Sequence, residues 1–231
     1  LQWSKQLPLN LTTGPGNIAV GYLAATALTT GGANTVLGYG AFDAAAHGEN
    51  YNIAIGRNAL GAAKENAASG GGHDHSLDSN IAIGENALLG GDLGTADSVK
   101  THQGNIAIGS YALDATSTNA HLGTIAIGYE SLGALTSGPG NIAIGYNALL
   151  GMTTGSANLA IGYGAMDGTA NAPSSDNNVM IGNNSGGGAW ASGESYNNVA
   201  VGHETMQGQL DEAINNVAIG QKALEELTTG D

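Results

Sequence analysis

The sequence predicts an all-β protein, a parallel β-solenoid or β-roll of about eleven 17-residue coils. Three observations carry this reading. A short motif recurs along nearly the whole chain, alternation inside the motif has the period of a strand, and bulky side chains are scarce. Self-similarity is the strongest, since a fixed short period is the signature of stacked repeats. Asn17-Ile-Ala-Val-Gly21 returns as Asn52-Ile-Ala-Ile-Gly56 and Asn141-Ile-Ala-Ile-Gly145. Eleven copies align on Gly21, Gly38, Gly56, Gly84, Gly109, Gly128, Gly145, Gly162, Gly182, Gly202 and Gly220. The shortest step between them is 17 residues, and the two longest precede Gly84 and Gly109. Residues 1–16 therefore read as an N-terminal cap or the end of a preceding coil, and residues 17–231 as the roll, with insertions near 61–79 and 89–104.

Each column of the repeat has a job. The first position is Asn in ten copies, with Thr124 the exception; the fourth is Val, Leu or Ile in all eleven, and the fifth is always Gly. Asn-Ile-Ala-Ile alternates with period two, which marks a strand. Its branched residues point to one side and its Ala to the other. The Gly suits a tight bend or a close backbone approach. A small residue follows three positions later, then a large apolar one such as Leu60, Leu88, Leu149 or Met206, with Ala25 and Gly186 the exceptions. This pair is expected to begin a second extended piece, which Thr-Thr-Gly segments such as Thr12 to Gly14 then end. The expected coil holds its two branched residues and its Leu inside. The Ala column (Ala19, Ala54, Ala82, Ala107, Ala126, Ala143, Ala160, Ala200, Ala218) then lies outside, suited to contact between subunits or to solvent. One coil of this size cannot fold alone, so coils must stack. The Asn column is expected to form a hydrogen-bonded ladder, as stacked amides do.

Composition agrees with a thin coil. Of 231 residues 39 are Gly, and the aromatics are one Phe, eight Tyr and two Trp. With no three-residue glycine period and four prolines, collagen is excluded. Five Lys and Arg stand against 19 Asp and Glu, a net charge of −14. Lys5, Arg57, Lys64, Lys100 and Lys222 are scattered, so neither nucleic acid nor an anionic membrane surface is an expected partner. There is no cysteine, hence no disulfide or thiolate chemistry. No apolar run reaches the roughly 18 residues of a membrane helix, so no membrane insertion is expected. Leu1-Gln-Trp-Ser-Lys5 lacks an initiating Met, which suggests a processed or partial chain.

Repeats such as Asn141-Ile-Ala-Ile-Gly-Tyr-Asn-Ala-Leu149 resemble the head repeats of trimeric autotransporter adhesins. They are still more similar to related repeats in phage tail-fibre proteins. The resemblance spans about Asn17 to Gly230, although the autotransporter unit is shorter than the 17 residues here. It implies a left-handed roll assembled as a homotrimer. It further implies a virion fibre that contacts a host cell-surface glycan or protein, exposed on the virion or on a bacterial surface. The head of a bacterial adhesin and a structural filament or decoration protein are the rival expectations.

Candidate sites are few. His73 and His75 flank Asp74 in the largest insertion, and in an extended segment both imidazoles project to one side, as divalent-metal ligands do; a solvated loop is the alternative. No other cofactor is expected. Tyr22, Tyr39, Tyr129, Tyr146 and Tyr163 each follow an invariant Gly and should form a partial stripe, either a surface for sugar rings or a stack covering the coils. Trp190 lies where the Leu position is Gly186, as an exposed anchor or as a plug over that gap. Trp3, Leu7 and Leu9 are expected to cap the open end. No Gly-x-Ser-x-Gly elbow or phosphate loop is present. The adjacent carboxylates Asp211-Glu212 and Glu225-Glu226 read as solvated turns, so the expected role is not enzymatic.

Overall fold

The structure is a computed structural model, and it describes residues 14–45, 48–62, 77–90, 101–116, 121–172 and 174–229. The chain divides into two compact units, Leu1–Gly123 and Thr124–Asp231. Each is a parallel β-solenoid.

In the first unit, β1 (Ile18–Val20), β2 (Thr35–Leu37), β3 (Ile53–Ile55), β5 (Ile81–Ile83) and β7 (Ile106–Ile108) pair in that order, all parallel. A second small sheet joins β4 (Leu77–Asp78), β6 (His102–Gln103) and β8 (His121–Leu122). In the second unit, β9 (Ile125–Ile127), β10 (Ile142–Ile144), β11 (Leu159–Ile161), β12 (Val179–Ile181), β13 (Val199–Val201) and β14 (Val217–Ile219) stack in chain order. All eleven motif copies thus form strands, and in register each residue lies over its counterpart: Ala143 over Ala126 and under Ala160, for example.

The Asn column forms the expected ladder. Asn178 shows the pattern: its backbone N–H and its Nδ2 both donate to Asn158 Oδ1, at 2.9 and 3.2 Å. Its Nδ2 also donates to the Ser195 carbonyl of the next coil at 2.9 Å, and its own Oδ1 serves Asn198 in turn. The same bonds link Asn17, Asn34, Asn52, Asn80 and Asn105 in the first unit. A buried amide costs nothing only when its donors and acceptors are matched, and here the next coil matches them.

The ladder also overturns the expected facing of the strand. Positions one, three and five of an alternating segment share a side. Burying Asn therefore turns Ala inward and the two branched residues outward. Ala54, Ala82, Ala107, Ala126, Ala143, Ala160 and Ala200 are fully buried, while the residues flanking them in their strands are only half-buried. The Ala column is core, not contact surface. Small inward residues fit because the opposite wall supplies the bulk: Leu60, Leu88, Leu113, Leu132, Leu149 and Met166 are fully buried.

That wall is not an extended piece. The second and fourth residues after the motif Gly have φ of 52–60° and 44–63° in every coil, so the segment is a turn with two left-handed residues. Left-handed backbone costs an L-residue about 1–2 kcal/mol. Burying the Leu side chain contributes about 1.5–3 kcal/mol against that. The backbone N–H of the same residue also bonds to the next coil, as in Leu149 to the Ala165 carbonyl at 3.0 Å. The motif Gly itself has φ of 117–146°, and a Cβ on Gly145 would collide with the Gly162 carbonyl oxygen. Both facts demand glycine there.

Volume is conserved within a coil. Where Gly186 replaces the Leu, Met180 replaces the strand Ala, and a Cβ on Gly186 would sit 2.9 Å from Met180 Sδ. Trp190 completes the filling.

Candidate interaction surfaces

The outward strand positions create the largest chemical feature of each unit. Of the 22 such positions 21 are Ile, Val or Leu, with Thr35 the exception. At the ends of the strand series they are most open, with Ile18 58 % and Ile219 72 % exposed. Each unit thus presents two parallel columns of branched side chains, free of charge. Apolar surface arranged in this way is a candidate interaction face.

The tyrosine stripe exists in two pieces. Tyr22 stacks on Tyr39 with ring centroids 5.3 Å apart. Tyr146 lies between Tyr129 and Tyr163 at 5.3 and 5.1 Å, with planes within 12° and 6° of parallel. The edges are exposed, but the rings of the three-member stack cover one another's faces. A sugar that packs on an aromatic face finds none free on Tyr146. This geometry favours the covering role of the stripe. In the first unit the same column continues as Arg57, whose guanidinium pairs with Glu85 at 2.8 Å.

Trp190 is not an exposed anchor. It is fully buried, and its Nε1 donates to the Gly186 carbonyl at 2.8 Å. Met180 occupies the space beside Gly186, and the buried indole is tied to the same residue, which agrees with a covering role rather than an exposed one. His73 and His75, with residues 63–76 of the insertion that holds them, and Trp3, Leu7 and Leu9 lie outside the described residues. Among the described residues no group of three or more His, Cys, Asp or Glu is placed to hold a metal ion. No helix among them is long and apolar enough to cross a membrane.

The carboxylates have structural partners or open solvent. Asp211 Oδ1 accepts from Gly193 N at 2.9 Å, and Asp78 Oδ1 from Asn50 N at 2.7 Å. Lys222 bridges Glu225 at 2.7 Å and Glu204 at 3.2 Å, and these hydrogen bonds, Glu225 first, raise its affinity for the proton. Asp43 and Asp167 occupy equivalent places in Gly-Tyr-Gly-Ala-x-Asp segments, and burial raises both carboxyls above the usual value.

One buried pair was not anticipated. His102 and His121 are register partners in β6 and β8, fully buried, with rings in edge-to-face contact at 5.3 Å. The available signal was positional: each stands three residues before the first motif position, where Leu77 stands in the neighbouring coil.

The outer loops of the last two strands form an open cleft of about 490 Å³ lined by Ser192, Gly193, Glu194, Tyr196, Glu212 and Ile214. Comparisons with known protein families, with curated proteins and with solved structures find no match to this chain.

Proposed function

We propose that the chain is a segment of a homotrimeric virion fibre, a left-handed roll used to contact the host surface, and that it is not an enzyme. The observation that carries this is the outward face of branched aliphatic residues. At about 25 cal/mol per Å² of apolar area removed from water, leaving two such columns bare is unfavourable, and a second and third copy of the same face would cover them. A repeating, parallel, uncharged face suits closed association of identical chains better than a globular partner of irregular outline. Resemblance to tail-fibre repeats supplies the biological setting, and the acidic composition opposes non-specific association in solution.

The test is the mass in solution. A trimer has three times the 22.8 kDa of the chain by light scattering. Ile144→Lys places a charge on the outward face of β10 and should release monomers that keep their β-sheet circular dichroism. A wild-type monomer would sink the assembly. The head of a bacterial adhesin would share this face; antibody labelling of the source particle and of the source cell envelope separates the two. Fluorescently labelled protein should decorate host cells, and absence of decoration would refute attachment.

A further inference from the structure

We propose that the cleft at Ser192–Tyr196 and Glu212–Ile214 binds a neutral saccharide. The proposal rests on the attachment reading only for its biological meaning. Its first support is rigidity. Tyr196 and Ile214 form a parallel bridge, with Tyr196 N donating to the Ala213 carbonyl and Asn215 N to the Tyr196 carbonyl, each at 3.2 Å. Ser195 and Ala213 are buried between them, and their N–H groups donate to Ser175 Oγ and Ser195 Oγ at 3.0 Å. Gly193 N is held by Asp211. Alternation then turns Glu194 and Tyr196 outward on one loop and Glu212 and Ile214 outward on the next.

The second support is that the side chains lining this rigid frame are not engaged. Ser192, Glu194, Tyr196 and Glu212 make no side-chain hydrogen bond or ion pair among the described residues, and Tyr196 stacks on no other ring. The two described cations are committed elsewhere, Arg57 to Glu85 and Lys222 to Glu204 and Glu225. Gly193 has no side chain, which leaves room for the Glu212 stem against it.

The third support is chemical. A carboxylate accepts hydrogen bonds from neighbouring hydroxyls, and such charge-assisted bonds are the stronger kind. The open face of Tyr196 and the flank of Ile214 suit the C–H face of a sugar ring. The volume, about 490 Å³, is that of a site for a small ligand. Two uncompensated carboxylates repel uronates, sialates and phosphorylated sugars, so the saccharide is neutral.

Saturation-transfer nuclear magnetic resonance with the full chain tests this, using the methyl glycosides of glucose, galactose, mannose and N-acetylglucosamine as probes. At least one should receive magnetisation at its ring protons. Tyr196→Ala and Glu212→Gln should each weaken binding about tenfold, the loss expected for one charge-assisted bond or ring contact. Tyr163→Ala, in the stacked stripe, should leave it unchanged. All three positions are exposed, and unaltered urea midpoints show that the variants are folded. No transfer to any of the four glycosides, or transfer equal in wild type and both cleft variants, overturns the proposal. So does binding of arginine methyl ester in their place, which makes the cleft a cation site. Host-cell labelling that persists in Tyr196→Ala removes the cleft from attachment but leaves attachment itself standing. Glycoside binding without cell labelling keeps the cleft and sinks attachment.

Discussion

Asn158→Ala strikes the ladder at its most connected point. The backbone N–H of Asn178 donates to Asn158 Oδ1, and the Ser175 carbonyl accepts from Asn158 Nδ2. Both belong to buried residues, and the substitution removes the partner of each. An unsatisfied buried donor or acceptor costs about 1–3 kcal/mol, so the pair costs roughly 2–6 kcal/mol. The bond from Asn158 Nδ2 to Asn141 Oδ1 is also lost, but that oxygen keeps the Asn158 N–H. Against a total stability of about 5–15 kcal/mol this is a large fraction. With a urea slope of about 2–3 kcal/mol/M, a loss near 4 kcal/mol lowers the midpoint by roughly 1.5 M. Far-ultraviolet circular dichroism in urea, at one fixed protein concentration, reads this directly. Asn158→Asp should be worse, because a carboxylate oxygen would face the Ser175 carbonyl and the Asn141 amide oxygen. Asn216→Ala should cost under about 1 kcal/mol, since that residue is only half-buried and water replaces its contacts. If Asn158→Ala stays within about 0.5 kcal/mol of wild type, the typical range for surface changes, the ladder does not hold the coils together and the argument fails.

Gly145→Ala should cost more than about 3 kcal/mol or prevent folding, because φ of 138° and the Gly162 carbonyl both oppose a Cβ. Gly220→Ala, with φ of 117° and no atom within 4 Å of that Cβ, should lose only the backbone strain, and comparing their urea midpoints separates collision from conformation. Trp190→Ala should cost about 3–5 kcal/mol by the same measurement, and Trp190→Phe less, chiefly the bond to the Gly186 carbonyl. Asp167→Asn should raise the urea midpoint at neutral pH. Burial makes the folded carboxyl hold its proton more tightly than the unfolded chain, so the contribution of this group to stability is greatest at low pH. It falls as pH rises through the unfolded value of 3.8 and then the higher folded one. The advantage of the amide variant should therefore vanish in acid; an advantage that persists there would exclude this cause.

The repeat, the parallel stacking and the Asn ladder were legible because each is a matter of period and identity. The facing of the strand was not, because alternation fixes two sides without saying which is buried, and hydrophobicity favoured the wrong one. The deciding clue was Asn itself: a ladder of stacked amides is strongest away from water, and Ala143 shares its parity with Asn141 while Ile142 and Ile144 do not. The left-handed turn was hidden for another reason. Leu60, Leu149 and Tyr111 are poor candidates for positive φ on local propensity; bonds to the neighbouring coil, and for the two Leu burial of the side chain, sustain them. The tyrosine stripe was legible as a column, yet its stacking, which decides whether ring faces are available, depends on side-chain rotation. Tyr196 and Glu212 were invisible as neighbours because coil length varies, and only the register brings their loops together.

Glycine content now separates into two causes. Four positions per coil depart from ordinary negative φ, counting the residue before Asn, where φ is 56–75°. The other three columns hold Gly in some coils, as at Gly16, Gly40 and Gly186, and residues such as Asn, Leu, Glu, Tyr, Lys or Ala in others, and only the fifth motif position is invariant. Two things distinguish it: a φ of 117–146°, outside the 44–75° of the other three columns, and, as at Gly145, the carbonyl of the next coil in the place of its Cβ. Invariance therefore follows close stacking together with a backbone angle that only glycine adopts freely. Thr124, the first residue of the second compact unit, is where the column loses its Asn. Thr has one hydroxyl where Asn has a carbonyl oxygen and two N–H donors, so it cannot reproduce the amide's four bonds. Where coils must register, side-chain amides and absent Cβ atoms set the pattern. The aliphatic residues that dominate the motif to the eye are then released to the outward face of the strands.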